Sequence, residues 1–236
     1  MNLWDKKAKN YARYNDELNQ IQKNTFKELA RLNIDFCGKK IIDIGCGTGV
    51  WTLHLAKMAS EVMGVDSSKA MLEILQNDAK SLKLSNVKCE NLSFDEWAKR
   101  HENSRFDIAF LSMSLALQSE KDYEIFINLA KTRIYLGWAK YRKSDFLEPI
   151  FKHFKAETKS LYKKDIENFL LKKKIPFHKF IFDEKRIAKR SKEEALENAL
   201  WHLSANGVEA IKSDILSFVK GDIVETISSK IKLLIF

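Results

Sequence analysis

Gly45, Gly47 and Gly49 stand at alternate positions directly after a short β-branched run, Lys40-Ile41-Ile42-Asp43-Ile44. Glycine accepts positive φ and lets backbone approach a ligand with no Cβ between them, so this turn reads as a ligand cradle at the end of a strand. Its spacing is G-x-G-x-G. A dinucleotide-binding turn is spaced G-x-G-x-x-G/A, and the place it keeps small holds Val50 here. Asp43 also lies two residues before the first glycine. A carboxylate there repels a pyrophosphate and attracts an ammonium group. No G-x-x-x-x-G-K-[ST] phosphate loop occurs. The turn therefore suits a ligand that carries an ammonium group and lacks phosphate.

A second acid, Asp66, ends the next strand-like run, Glu61-Val62-Met63-Gly64-Val65-Asp66, 17 residues after Gly49. A carboxylate at that strand end can accept hydrogen bonds from both hydroxyls of a ribose. The competing reading is an acid that only faces a helix N-terminus; the glycine turn upstream favours ribose. No dedicated general base stands out. His101, His153, His178 and His202 fall outside these motifs, and His54 sits in the helix after the turn as a structural residue. The catalytic residue is left unassigned. Cys37, Cys46 and Cys89 have neither CxxC nor metal-ligand spacing, which fits a reducing compartment and no metal site.

These residues need a scaffold, and the periodicity supplies one. Leu18, Ile21, Thr25, Phe26, Leu29 and Leu32 mark an N-terminal amphipathic helix, with Gly38 as its expected stop. Helix-period segments at 50–60, 69–81, 95–101 and 121–130 then alternate with strand-like runs at 40–44, 61–66, 86–90, 106–111 and 132–138. Ser67 is the expected N-cap of the 69–81 helix. Such alternation predicts an α/β fold with a doubly wound, mostly parallel sheet. Helices are expected at 146–153, 164–173, 192–205 and 208–220, and strands at 177–182 and 230–236. With only 2 Pro and 8 Gly there is no linker, so one domain is expected over 1–236. It comprises an N-terminal cap 1–37, a core 38–183, a helical insertion 184–222 and a last strand 223–236.

The net charge is +9, and residues 139–192 hold 17 Lys+Arg against 7 Asp+Glu. Such a stretch can follow nucleic-acid phosphates, attract an anionic small molecule, or merely solvate a surface. Phe151, Phe154, Tyr162, Phe177, Phe180 and Phe182 interleave with it. No signal-type apolar segment and no 18-residue apolar run occurs, so a cytoplasmic protein without a membrane span is expected.

Ile41 to Gly49, followed by Val62-Met63-Gly64-Val65-Asp66-Ser67-Ser68, resembles the first two motifs of the class I S-adenosylmethionine-dependent methyltransferases, over roughly residues 38–140. The resemblance implies a seven-stranded sheet whose final strand is antiparallel. It implies S-adenosylmethionine as cofactor, with Asp43 and Gly45 near the methionine moiety and Gly47 and Gly49 beneath the molecule. Cys46 and Thr48 complete the turn, Asp66 takes the ribose, and Ser67 follows it. Asn91 and Leu92 fall at the adenine edge, with Glu90 or Asp95 as alternatives in a shifted register. After the fourth strand, members that methylate exocyclic base amines carry Asn/Asp-Pro-Pro-Tyr/Phe. Here Ser112-Met113-Ser114-Leu115-Ala116 is similar to the small-molecule branches instead, with Ser112 beside the cofactor and Met113 beside the acceptor. Tyr11, Tyr14 (three apart, as on one helical face) and Trp138 are the other candidate acceptor contacts, and Trp4 and Trp51 are nearby aromatics. The expected function is methyl transfer to a small or medium-sized acceptor. The alternatives are an RNA or DNA methyltransferase using 139–192, and a non-catalytic binding module that keeps the cofactor fold. The oligomeric state is not legible.

Overall fold

The structure, a computed structural model, describes residues 3–156 and 166–236, and only the backbone of Leu3 and Tyr141. Tyr162 and the start of the helix expected from Lys164 lie outside the described residues. In chain order the elements are α1 Leu3–Ala8, α2 Gln20–Arg31, β1 Lys40–Ile44, α3 Thr52–Ala56, β2 Glu61–Asp66, α4 Lys69–Ser81, β3 Val87–Asn91, α5 Phe94–Arg100, β4 Phe106–Ser112, α6 Glu120–Leu129 and β5 Ala130–Ser144. Then follow α7 Leu147–His153, α8 Ile166–Lys172, β6 His178–Arg190, α9 Lys192–Ala205, α10 Lys212–Ile215, a 3₁₀ turn Leu216–Phe218 and β7 Ile223–Ile235.

The strands order β3-β2-β1-β4-β5-β7-β6. β1 pairs in parallel with β2 on one side and β4 on the other, and β2–β3 and β4–β5 are parallel too. The chain therefore winds outward from β1 to β3, returns, and winds outward again from β4, which makes the β1–β4 border the switch point. β7 runs against this sense: Arg133 and Phe236 exchange both backbone hydrogen bonds, at 2.8 and 3.1 Å, the mark of an antiparallel pair. The expected fold, including its antiparallel strand, is the observed one.

The described chain divides into two compact units, one of Met1–Gly137, Lys164–Phe180 and Lys232–Phe236, the other of Trp138–Lys163 and Ile181–Ile231. In the first, Ile42, Ile44, Val65, Ala109 and Leu111 from the strands pack with Trp97, Phe126, Phe169 and Leu170 from helices. Ile41 and Ile42 point to opposite faces of β1 and both have zero exposure, as expected of a parallel strand covered on both sides. Ser93, Ser119 and Ser191 begin α5, α6 and α9 with capping boxes that satisfy the orphan N–H groups of each first turn. The second unit has its own core of Leu147, Ile150, Phe151, Ala195, Leu196, Ala199, Leu203, Ile215 and Val219.

Several boundaries differ from the sequence expectation. α2 stops at Arg31 instead of near Gly38. Asn33 takes φ +55°, and the Ile34 N–H bonds back to the Leu29 carbonyl at 3.0 Å, so an asparagine makes the left-handed helix stop. β6 runs on to Arg190, so residues 184–190 are strand and helix resumes only at Lys192. Residues 208–220 hold just one turn of α-helix and the 3₁₀ turn. The N-cap of α4 is Ser68, whose hydroxyl accepts from the Met71 N–H, with Ser67 one place outside it.

Candidate cofactor site

Strand register brings the sequence-predicted residues to one edge of the first unit. Ile44 stands level with Val65 on β2 and Leu111 on β4, and Asp66 is level with Asn91 on β3. The residues after these positions, Gly45 to Gly49, Ser67, Leu92 and Met113, all leave the sheet at its carboxyl edge.

The turn begins by hooking onto β2: the Gly45 N–H donates to the Val65 carbonyl at 2.7 Å. Gly45 has φ +67°, and a Cβ built there would lie 1.8 Å from Ser114 Oγ. Both the backbone conformation and the close approach of the β4 loop require glycine at this place. Gly47 has φ +54°, but a Cβ there would meet nothing within 4 Å. Its bare backbone faces open space, which is what a cradle for a ligand needs. The Cys46 side chain turns inward against Leu72 and Leu75, and burial pushes its thiol well above the usual range, so it has no thiolate character.

Asp66 ties three segments together. One carboxylate oxygen accepts the Gly47 N–H at 2.9 Å and the other accepts the Ser68 N–H at 2.8 Å. Its carbonyl accepts from the Leu92 N–H at 3.1 Å and from Asn91 Nδ2 at 3.0 Å. Asn91 and Leu92 thus spend those donors inside the protein. Burial raises the Asp66 carboxyl above its ordinary value, the two N–H groups oppose that, and nearby Asp5 adds to it. A carboxylate has about four lone-pair directions, so two fixed N–H bonds orient it and leave acceptor capacity for a diol.

Asp43 is 2% exposed and accepts from the Thr52 hydroxyl at 2.6 Å. Burial pushes its carboxyl up to about 7, against the pull of the Thr52 bond and with a further push from the Asp66 charge. Two acids at the strand ends, bare glycine backbone and no lysine or arginine in the turn fit a cationic ligand with a ribose.

On the β4 side, Ser112 ends the strand level with Leu136. Met113 adopts φ +54° and its N–H donates to the Leu136 carbonyl at 2.9 Å. A left-handed non-glycine residue costs on the order of 1–3 kcal/mol and is held only where its surroundings enforce it.

The N-terminal segment is fastened to the same edge. The Thr48 hydroxyl donates to the Ala12 carbonyl at 2.5 Å, Gln22 Nε2 to the Val50 carbonyl at 3.0 Å, and the Ser68 hydroxyl to Asp5 at 2.6 Å. Tyr11 and Tyr14 are not on a helix, because α1 ends at Ala8 and the chain to Asn19 is irregular. An isolated helix this short is marginal, and Ala12 gives its carbonyl to Thr48. Tyr11 packs edge-on to Trp4, whereas Tyr14 lies 4.7 Å from the His54 ring and donates to Asp16 at 2.5 Å. Trp51 is half-buried and packs between the Phe26 and Phe110 rings, at 5.8 and 5.2 Å. Trp138 belongs to the second compact unit. Thr52, Ser68 and Asp5 are not singled out by the sequence, whereas Ser114 lies in the 112–116 turn that is. Only Ser68 had a local signal, a serine just before a helical run.

The methyltransferase-domain family profile matches residues 36–195. A demethylmenaquinone methyltransferase from a Geobacillus species is 35% identical over 91 residues, covering 36% of this chain and 38% of that protein. A ubiquinone biosynthesis O-methyltransferase from Acinetobacter baylyi is 26% identical over 92 residues, covering 39% of this chain and 37% of its own length. The chain thus spans less than two-fifths of either curated relative. The solved S-adenosylmethionine-dependent methyltransferase from Thiobacillus denitrificans, in complex with S-adenosylhomocysteine, superposes with a TM-score of 0.50 at 12% identity, over 96% of this chain and 95% of that one. That last likeness concerns the fold alone. With its family profile matched over residues 36–195, this chain belongs to the class I S-adenosylmethionine-dependent methyltransferases.

Proposed function

We propose that this chain transfers a methyl group from S-adenosylmethionine to a small or medium-sized acceptor. The observation that carries the reading is the Asp66 carboxylate, oriented by the Gly47 and Ser68 N–H groups beside bare glycine backbone. In this reading Asp66 accepts from the ribose hydroxyls, with Ser67 beside it. Asp43 faces the ammonium group, and Gly45, Cys46, Gly47, Thr48 and Gly49 supply backbone beneath the cofactor. Asn91 and Leu92 border the adenine, and Ser112 and Met113 border the reacting end. The bound cofactor supplies an electrophilic methyl group on a sulfonium. The chain's part in this reading is alignment and exclusion of water, assigned to the left-handed Met113 turn and the segment around Ala12 that Thr48 fastens. No side chain is assigned as a base.

The acceptor class rests on two supports. The curated relatives are named for demethylmenaquinone and ubiquinone biosynthesis, both quinone compounds. The turn Ser112-Met113-Ser114 also lacks the paired prolines of base-amine methylation. In the basic stretch, Lys172 and Lys173 reach Glu120 and Glu124 at 3.0 and 2.9 Å, and Lys179 bonds Glu167, so part of that charge is matched within the protein. The test is quantification of S-adenosylhomocysteine formed from S-adenosylmethionine with hydroxylated quinols or with RNA. Turnover with a quinol is expected; turnover with RNA alone would overturn the acceptor class.

A further inference from the structure

The second unit contains a cluster of buried charge that the methyl-transfer reading does not use. Glu225 on β7 has zero exposure and both its oxygens are engaged: Oε1 accepts the Ser144 hydroxyl at 2.5 Å, and Oε2 accepts the Arg190 Nε–H at 3.0 Å. Arg142 on β5 comes next to this carboxylate but does not bond it. Its Nη2 stands 3.8 Å from Glu225 Oε1, outside hydrogen-bond reach. Arg142 Nε and Nη2 are both buried and, among the described residues, have no hydrogen-bond partner. The other acid near Arg142 is Glu184, which already accepts the Ser229 hydroxyl at 2.5 Å. The charged groups acting on Arg142 are Arg186, Arg190, Glu184 and Glu225. Three guanidinium groups thus share two carboxylates, which leaves one surplus positive charge.

Buried charged donors without acceptors are costly, and native proteins retain them where something else supplies the acceptor. We propose that Arg142, with Arg186 and Arg190, binds an oxyanion group, a carboxylate or a phosphate monoester, carried by a small ligand. A guanidinium offers a planar fork of donors that matches either group with two bonds. The Arg142 and Arg190 side chains are only 24% and 21% exposed, which suits a terminal anionic group better than a nucleic-acid backbone lying across a surface. Burial, and then the field of Arg186, brings the Arg142 pKa down to about 10, a strain that a bound anion relieves. This site stands independently of the methyl donor and its loop.

The experiment is thermal denaturation and calorimetric titration of the full chain with inorganic phosphate and, separately, acetate, at ionic strength held constant with sodium chloride. Either anion is expected to raise the melting temperature of the wild type at millimolar concentration. Arg142→Gln and Arg186→Gln are each expected to weaken binding at least about tenfold. Arg186 is exposed, so Arg186→Gln tests the idea even if Arg142→Gln fails to fold. Without anion, Arg186→Gln is expected to melt no lower than the wild type, because it removes surplus positive charge; a purely structural arginine would melt lower. A stronger response to phosphate assigns a phosphate ester and a stronger response to acetate a carboxylate. The proposal is overturned if neither anion shifts the wild type, if wild type and variants shift alike, or if only single-stranded RNA binds, with a steep salt dependence.

Discussion

The Gly47 N–H donates to the Asp66 carboxylate at 2.9 Å across 19 residues of sequence. The bond couples the glycine turn after β1 to the acid at the end of β2. The turn is thereby held open with its backbone bare, and the acid is held at one orientation.

Gly45 and Gly47 are glycines for different reasons, and alanine separates them. Gly45→Ala meets both a left-handed backbone and Ser114 Oγ, so it should lose well over the ~1–2 kcal/mol that left-handed φ alone costs. Gly47→Ala should lose only about that backbone cost, because its Cβ meets nothing, while cofactor affinity falls. Denaturant unfolding of both, with Ser114→Gly added to Gly45→Ala, checks this; the double variant should regain the steric part only.

Asp43 predicts a pH dependence. In the folded chain burial pushes its carboxyl up to about 7, against an ordinary value of 3.8. Between these values the native state holds a proton that the unfolded state has released, so stability should fall as pH rises from about 4 to about 7. An ammonium group beside Asp43 favours the ionised form, so S-adenosylhomocysteine should bind more tightly as pH rises through 7 and should release a proton near pH 6. Calorimetry in buffers of different ionisation enthalpy measures that proton. Asp43→Asn should abolish the release and flatten the stability curve.

Ser68 makes two attachments with one hydroxyl, accepting the Met71 N–H and donating to Asp5. Ser68→Ala should cost about 1–2 kcal/mol through the lost N-cap and the freed Asp5. It should also loosen the N-terminal segment, seen as faster proteolysis before Gln20.

The parts legible in the sequence were those set by local chemistry. The glycine turn, Asp43 and Asp66 follow from strand ends and positive φ, which neighbouring residues dictate. The contacts that fasten them do not. Asp5 reaches Ser68 across 63 residues and Thr48 reaches Ala12 across 36, and no periodicity encodes such a meeting. Tyr11 and Tyr14 suggest a helical face because they stand three apart, but α1 ends at Ala8 and the Ala12 carbonyl accepts from Thr48 in the loop. The alternation at 177–182 predicts a strand that ends at Phe182, with an insertion from 184. Glu225 and Ser229 on β7 bond Arg190 and Glu184, so a charged run continues as strand.

The central claim is that Asp66 and the glycine turn hold S-adenosylmethionine. Calorimetric titration of S-adenosylhomocysteine into the wild type and into Asp66→Ala, with folding of both verified by circular dichroism, tests it directly. Hydrogen bonds to a charged acceptor are each worth roughly 1.5–3 kcal/mol, so one-to-one binding to the wild type and at least about a tenfold loss in Asp66→Ala are predicted. Equal affinity in the two proteins, or no binding to the wild type, would contradict it.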